Sequence, residues 1–177
     1  KKFFDLEITA VGRLSSKYEL TVLVPVAPTS DADELIGAAS LKPVAKNSDV
    51  DASDYLAKAL MFDGTPVHFF KQGIGTLARI SRFVAGQAGT AGFQSAGLGA
   101  PVVALVPPDA RPSRVERNER LMGESRISCA MSAVEISAAM DRLLSDPEDA
   151  ERRGRIGMER IGPAGALDYA VRLVLGN

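Results

Sequence analysis

Two kinds of apolar spacing alternate along this chain. Continuous apolar runs of strand length recur at residues 18–27 (YELTVLVPVA), 66–70 (PVHFF), 101–107 (PVVALVP) and 127–131, and such runs, bounded by turn residues, mark strands buried on both faces. Between them the apolar positions fall three and four residues apart. Phe3, Phe4, Ile8, Val11 and Leu14 predict an opening helix over residues 3–14, and Val134, Ile136, Ala139, Met140 and Leu143 form one stripe of a helix over 132–144. Helices are also predicted over 33–41, 52–61, 75–80 and 112–122, and two more follow the breaks DPED at 146–149 and IGPAG at 161–165. The alternation predicts an α/β fold, a Rossmann-like parallel sheet with helices on both faces. With no internal repeat and no long linker, residues 1–177 read as a single domain.

In a sheet of this kind, ligands settle beyond the carboxyl ends of the strands. Three strand ends fall close together in order: Phe70 and Lys71, then Gly89 and Thr90, then the loop 107–113. The most informative stretch is 82–107, RFVAGQAGTAGFQSAGLGAPVVALVP, which reads as strand, glycine-bearing turn, short helix and second strand. Gly89 allows a sharp turn there. A helix starting at that point turns its unpaired amides and positive dipole end outward, which suits an anion. The same residues also suit an ordinary helix start with Thr90 as its cap. The pattern is neither GxGxxG nor GxxxxGK[ST], so dinucleotide and P-loop readings lose support.

Composition narrows the chemistry. The formal net charge is −1 and there is no Lys/Arg run, which argues against an extended nucleic-acid surface, although Arg111, Arg114, Arg117 and Arg120 form a local basic cluster. Those arginines fit either a solvated helix face balanced by Glu116 and Glu119 or an anionic ligand. A single cysteine, Cys129, excludes a disulfide within the chain and points to an intracellular compartment. The one histidine, His68, lies inside an apolar run and reads as a structural strand residue. No cluster of ligands for a metal is visible, and no apolar run approaches the roughly 18 residues of a membrane span. Asp109, near Arg111, reads as a turn residue.

Three separated segments carry a family resemblance: AGTAGFQSAGLGAPVVALVP, PSRVERNERLMGES and ERIGPAGALDYAVRLVL. Residues 60–177 resemble the carboxyl-terminal half of the lipid-A-disaccharide-synthase-related proteins, members of the GT-B glycosyltransferases. They are similar, more distantly, to the donor-binding half of the enzyme that adds N-acetylglucosamine to lipid II. The resemblance implies a domain that holds the nucleotide of an activated sugar, a UDP-sugar in particular. The diphosphate would sit at Ala88, Gly89, Thr90 and Ala91, the base near Phe70 and Lys71, and the sugar near Arg114 and Asn118. A glutamate commonly binds the ribose from the helix after the turn; the matching position here is Gln94, and Phe93 stands where other relatives carry an acid. An amide still pairs with two hydroxyls but lacks the charge-assisted acceptor.

The resemblance further implies a longer two-domain protein whose amino-terminal acceptor domain and first strand are missing from these residues. It implies no cofactor or metal, names no general base, and leaves the catalytic residues unknown. The expected setting is cytoplasmic, with peripheral association of the full-length protein at the inner membrane and homo-oligomer formation left open. Two other classes stay in view: a sugar-nucleotide epimerase of the same fold, and a non-catalytic module for ligand sensing or assembly.

Overall fold

In the computed structural model, which describes residues 2–44, 54–87, 89–162 and 166–175, strands and helices alternate much as the apolar spacing predicts. The amino-terminal part runs α1 (Lys2–Gly12), β1 (Val22–Pro25), α2 (Ala32–Ala38), β2 (Lys42–Val44), β3 (Tyr55–Leu60) and β4 (Pro66–Phe70). It continues through α3 (Ile74–Ile80), β5 (Val84–Gln87), α4 (Thr90–Gly97), β6 (Val102–Val106), α5 (Pro112–Met122) and β7 (Arg126–Ala130). Helices α6 (Ala133–Ser145), α7 (Pro147–Ile161) and α8 (Ala166–Leu175) follow.

The strands form two sheets, β1-β4-β3-β2 and β5-β6-β7. The second is parallel throughout, with Val102 of β6 opposite Val84 and Arg126 and Leu105 opposite Gln87 and Cys129. Val102, Val103, Ala104 and Leu105 of β6 are all buried, as a central strand covered on both faces requires. Successive side chains serve opposite layers. Val103 and Leu105 join Ile8 and Val11 of α1 and Ile136, Met140 and Leu143 of α6 in one core. Val102 and Ala104 turn the other way, toward Ala96 of α4, Met122 of α5 and, at the margin, Phe93 and Ile161. The α/β, Rossmann-like arrangement with helices on both faces is therefore what the chain builds.

The larger core also takes in Ala59, Val67 and Phe69 of the first sheet, and the Phe4 ring meets Phe69 edge-on at 6.0 Å. Burying a side chain such as Val67 or Phe69 stabilises by roughly 1.5–3 kcal/mol. The first sheet departs from the predicted parallel order. β1 and β4 are parallel, but β3 runs antiparallel to β4 and β2 antiparallel to β3. The helix predicted over 52–61 is thus corrected: residues 55–60 are the strand β3, and 51–53 lie outside the described residues. A tight turn makes the hairpin. Gly64 adopts φ 91°, the left-handed conformation that favours glycine, while the Asp63 carboxylate accepts from the Thr65 amide at 2.9 Å and Met61 N–H donates to Thr65 O at 3.0 Å.

Helix α7 holds the far end of α4. A Cβ added to Gly157 would lie 2.5 Å from the Ala96 carbonyl oxygen, and one added to Gly154 would collide with the Gly99 carbonyl. The same helix buries Arg153, whose guanidinium donates to Asp149 at 2.7 Å and to the Glu124 carbonyl at 2.6 Å. Glu124 belongs to the 3-10 turn Gly123–Ser125 between α5 and β7, so α7 fixes the corner from which β7 departs. Among the described residues no helix is long and apolar enough to cross a membrane.

A candidate anion-binding cleft between the parallel sheet and helix α5

At the carboxyl ends of β5 and β6 the chain leaves the sheet for α4 and α5, and a cleft of about 1020 Å³ opens there. One wall is the end of β5, with Gln87, and Gly89, the residue capping α4. The floor is Leu105 and Val106 of β6. The other wall is the loop from Pro107, with Asp109 and Ala110, and the first two turns of α5. Ala110 N–H donates to Pro107 O at 3.0 Å, closing the turn in which exposed Asp109 sits. Pro112 then occupies the first position of α5, where its missing N–H costs nothing. Spacing of three, four and seven residues puts Arg111, Arg114, Val115 and Asn118 along one face of the helix, and all four line the cleft, together with Arg117.

A further arginine comes from the sheet itself. Arg126, the first residue of β7, is 7% exposed and lines the same cleft. Its Nε donates to the Ser128 hydroxyl at 3.0 Å, and that hydroxyl donates to Glu119 Oε1 at 2.6 Å. Its Nη1 is buried with no hydrogen-bond partner, and so is Oδ1 of Asn118, a residue 5% exposed. Each such orphan costs on the order of 1–3 kcal/mol. Burial pulls the Arg126 guanidinium below its ordinary pKa, against the opposing attraction of Glu119. Among the described residues, no ion pair involves Arg111, Arg114 or Arg117, all of them exposed. Among the described residues the cleft therefore presents four arginines and one carboxylate, Asp109.

Gly89 earns its place by space rather than by torsion. Its φ of −123° is open to any residue, so the sharp turn inferred from sequence does not require glycine, and a Cβ built there meets nothing within 4 Å. Thr90 is the first helical residue rather than the cap, and no side chain caps the amino end of α4. Ala88 lies outside the described residues. Thr90, Ala91 and Gln94 are exposed on α4, next to Gly89 but not among the residues lining the cleft. Phe93 points inward against the core of Ala96 and Met122, so the apolar residue at that position packs the helix onto the sheet.

Phe70 and Lys71 end β4 apart from the cleft. Phe70 packs edge-on with Tyr55 at 5.4 Å, and Lys71 N–H donates to Asp54 O. Of the three predicted strand-end loops, two line the cleft and the one after β4 does not. His68 sits on β4 with Nδ1 3.0 Å from the Tyr55 hydroxyl, and burial, with Lys58 nearby, lowers its pKa. Cys129 is buried on β7 and burial pushes its thiol up to about 11, which makes it a poor nucleophile. Among the described residues no group of three or more His, Cys, Asp or Glu side chains could hold a metal ion.

Sequence reading missed Gln87 and Arg126. The signal for Arg126 was present: a charged residue opening an otherwise apolar strand run.

No family model and no curated protein matches the chain. Among solved structures it is similar to a crystal structure of UDP-N-acetylglucosamine 2-epimerase, with a TM-score of 0.54 and 19% identity, over 95% of this chain and 42% of that one. The chain thus spans less than half the length of that structure. The likeness shows the fold, a GT-B-like domain of Rossmann type.

Proposed function

We propose that this chain is the nucleotide-sugar-binding half of a GT-B glycosyltransferase and holds a UDP-sugar in the cleft between α5 and the parallel sheet. The observation that carries the reading is the buried, unpartnered Arg126 Nη1 in a cleft that also contains three exposed arginines and the open space at Gly89. A buried guanidinium nitrogen without an acceptor is costly, and an anionic ligand removes that cost. The amino end of α4 adds a dipole of the right sign for a diphosphate at Gly89, Thr90 and Ala91. In this reading Gln94 pairs with the ribose, Arg114 and Asn118 with the sugar, and the base extends out of the cleft toward Phe70 and Lys71.

Helix amides and arginines around a diphosphate stabilise it as a leaving group, with no metal required. Such a site suits glycosyl transfer, the acceptor and general base coming from a second domain of a longer protein. The resemblance of residues 60–177 to the lipid-A-disaccharide-synthase-related proteins supports transfer. The solved neighbour is a UDP-N-acetylglucosamine 2-epimerase, which supports the nucleotide-sugar part of the reading. Epimerisation calls for a positioned base; among the described residues lining the cleft the one carboxylate is Asp109, and His68 pairs with Tyr55 on β4.

Calorimetric titration with UDP, UDP-N-acetylglucosamine and unrelated nucleotides tests the proposal. UDP compounds should bind and raise the melting temperature. If none does so at millimolar concentration, the chain is not a donor-binding domain.

A further inference from the structure

Arg126 is held in one orientation by the chain's own residues. Its Nε is committed to Ser128, and Ser128 is committed to Glu119, so the nearest carboxylate is already engaged one hydroxyl away. Nη1 is left buried with no acceptor, and Oδ1 of Asn118 is buried with no donor, on two residues that both line the cleft. A water would complete the hydrogen bonds but add no counter-charge to that of Glu119, one hydroxyl away. An anionic oxygen satisfies Nη1 and adds counter-charge, while a hydroxyl beside it can donate to Asn118 Oδ1; charge-assisted pairing with arginine is about twice as strong as a neutral bond.

We propose that Arg126 and Asn118 form a phosphoryl-binding subsite on the floor of the cleft, beneath α5, that takes one phosphoryl group of the diphosphate while the amino end of α4 takes the other. Arg126 Nη1 donates to a phosphoryl oxygen, and Asn118 Oδ1 accepts from a hydroxyl carried by the phosphoryl group or by the sugar beside it. The assignment deepens the donor-binding reading and rests on it for the origin of the phosphoryl group as the donor diphosphate. It gives β7, a strand outside the glycine segment, a direct part in binding.

Two variants and two probes test the subsite. Arg126→Met removes the donor and keeps the apolar stem. Asn118→Asp places a carboxylate in the subsite, which opposes an anion while giving the buried guanidinium a counter-charge. Titration with inorganic pyrophosphate should show binding to the unaltered chain and about tenfold weaker binding to each variant, with the melting temperature of Asn118→Asp not lowered. Should Arg126→Met fail to fold, Asn118→Asp decides alone.

Equal pyrophosphate affinity in Asn118→Asp and the unaltered chain, or no pyrophosphate binding to the unaltered chain at millimolar concentration, overturns the subsite. UDP-N-acetylglucosamine separates the two readings. If it binds all three proteins alike, the donor site stands and the subsite falls. If pyrophosphate binding depends on residues 118 and 126 while the UDP-sugar does not bind, the subsite stands and the donor reading falls.

Discussion

Arg126 Nε donates to the Ser128 hydroxyl at 3.0 Å, a contact between residues two apart on β7 that fixes a buried guanidinium against the floor of the cleft. Neighbours at this spacing share one face of a strand, so the bond follows from the sheet's own periodicity. Ser128→Ala removes the tether and leaves Nε unsatisfied. The expected result is a loss of about 1 kcal/mol in urea unfolding and a several-fold weaker affinity for pyrophosphate. Unchanged affinity would show that the tether does not orient the ligand-binding group.

Helix α7 approaches α4 through glycines. With Gly157 facing the Ala96 carbonyl and Gly154 facing that of Gly99, a methyl group at either position forces the helices apart. Gly157→Ala and Gly154→Ala should each destabilise by about 1–3 kcal/mol, read as a lower urea midpoint with unchanged slope. Gly37, with nothing within 4 Å of its notional Cβ, is the control, and Gly37→Ala should not destabilise.

Burial pushes the carboxyl of Glu7, on α1, up from 4.5 to about 7. The folded state therefore holds a proton between those values that the unfolded chain releases. Stability from this group is full below pH 4.5 and is lost as pH rises through about 7. Glu7→Gln should remove this dependence and raise the melting temperature at about pH 8 relative to the unaltered protein. A melting profile parallel to that of the unaltered protein from acid to alkaline pH would contradict the assignment.

Asp149 behaves in the opposite sense. Its bond from Arg153, and further bonds from Arg152, hold its carboxyl below the ordinary 3.8. The unfolded chain takes up a proton first as pH falls, so this stability is present above 3.8 and is lost as pH drops through the lower folded value. Asp149→Asn should lower the melting temperature at neutral pH and flatten its decline below about pH 4. An unaltered acid limb would mean that the Arg153 pair is not what the acid transition reads.

The parts of the fold set by local pattern were legible in the sequence. PVVALVP reads as a buried strand by its length and bounding prolines, and the alternating charges of 112–122 as a surface helix, and both stand as read. YLAKAL reads as helix because Ala, Leu and Lys favour one, yet pairing with β4 through the Asp63-Gly64 turn made it β3. The glycine segment read as a candidate anion site with Arg114 and Asn118 nearby, and Gly89, Arg114 and Asn118 do line one cleft. Arg126 showed only as a charged residue opening an apolar strand run; its burial depends on α5 folding over β7, a relation no local window contains. Phe93 and Gln94 differ for a similar reason: the phase of α4 turns the ring into the core and the amide into solvent.

Gly89 offers the most direct test of the donor-binding claim. Its backbone torsions admit any residue, and aspartate is a favoured helix cap, so Gly89→Asp should fold with an unchanged or higher melting temperature. The added carboxylate would occupy the space assigned to the diphosphate. Calorimetric titration of UDP-N-acetylglucosamine into both proteins should therefore show binding to the unaltered chain and at least about tenfold weaker binding to the stably folded variant. Equal affinity in the two proteins would contradict a diphosphate at the amino end of α4.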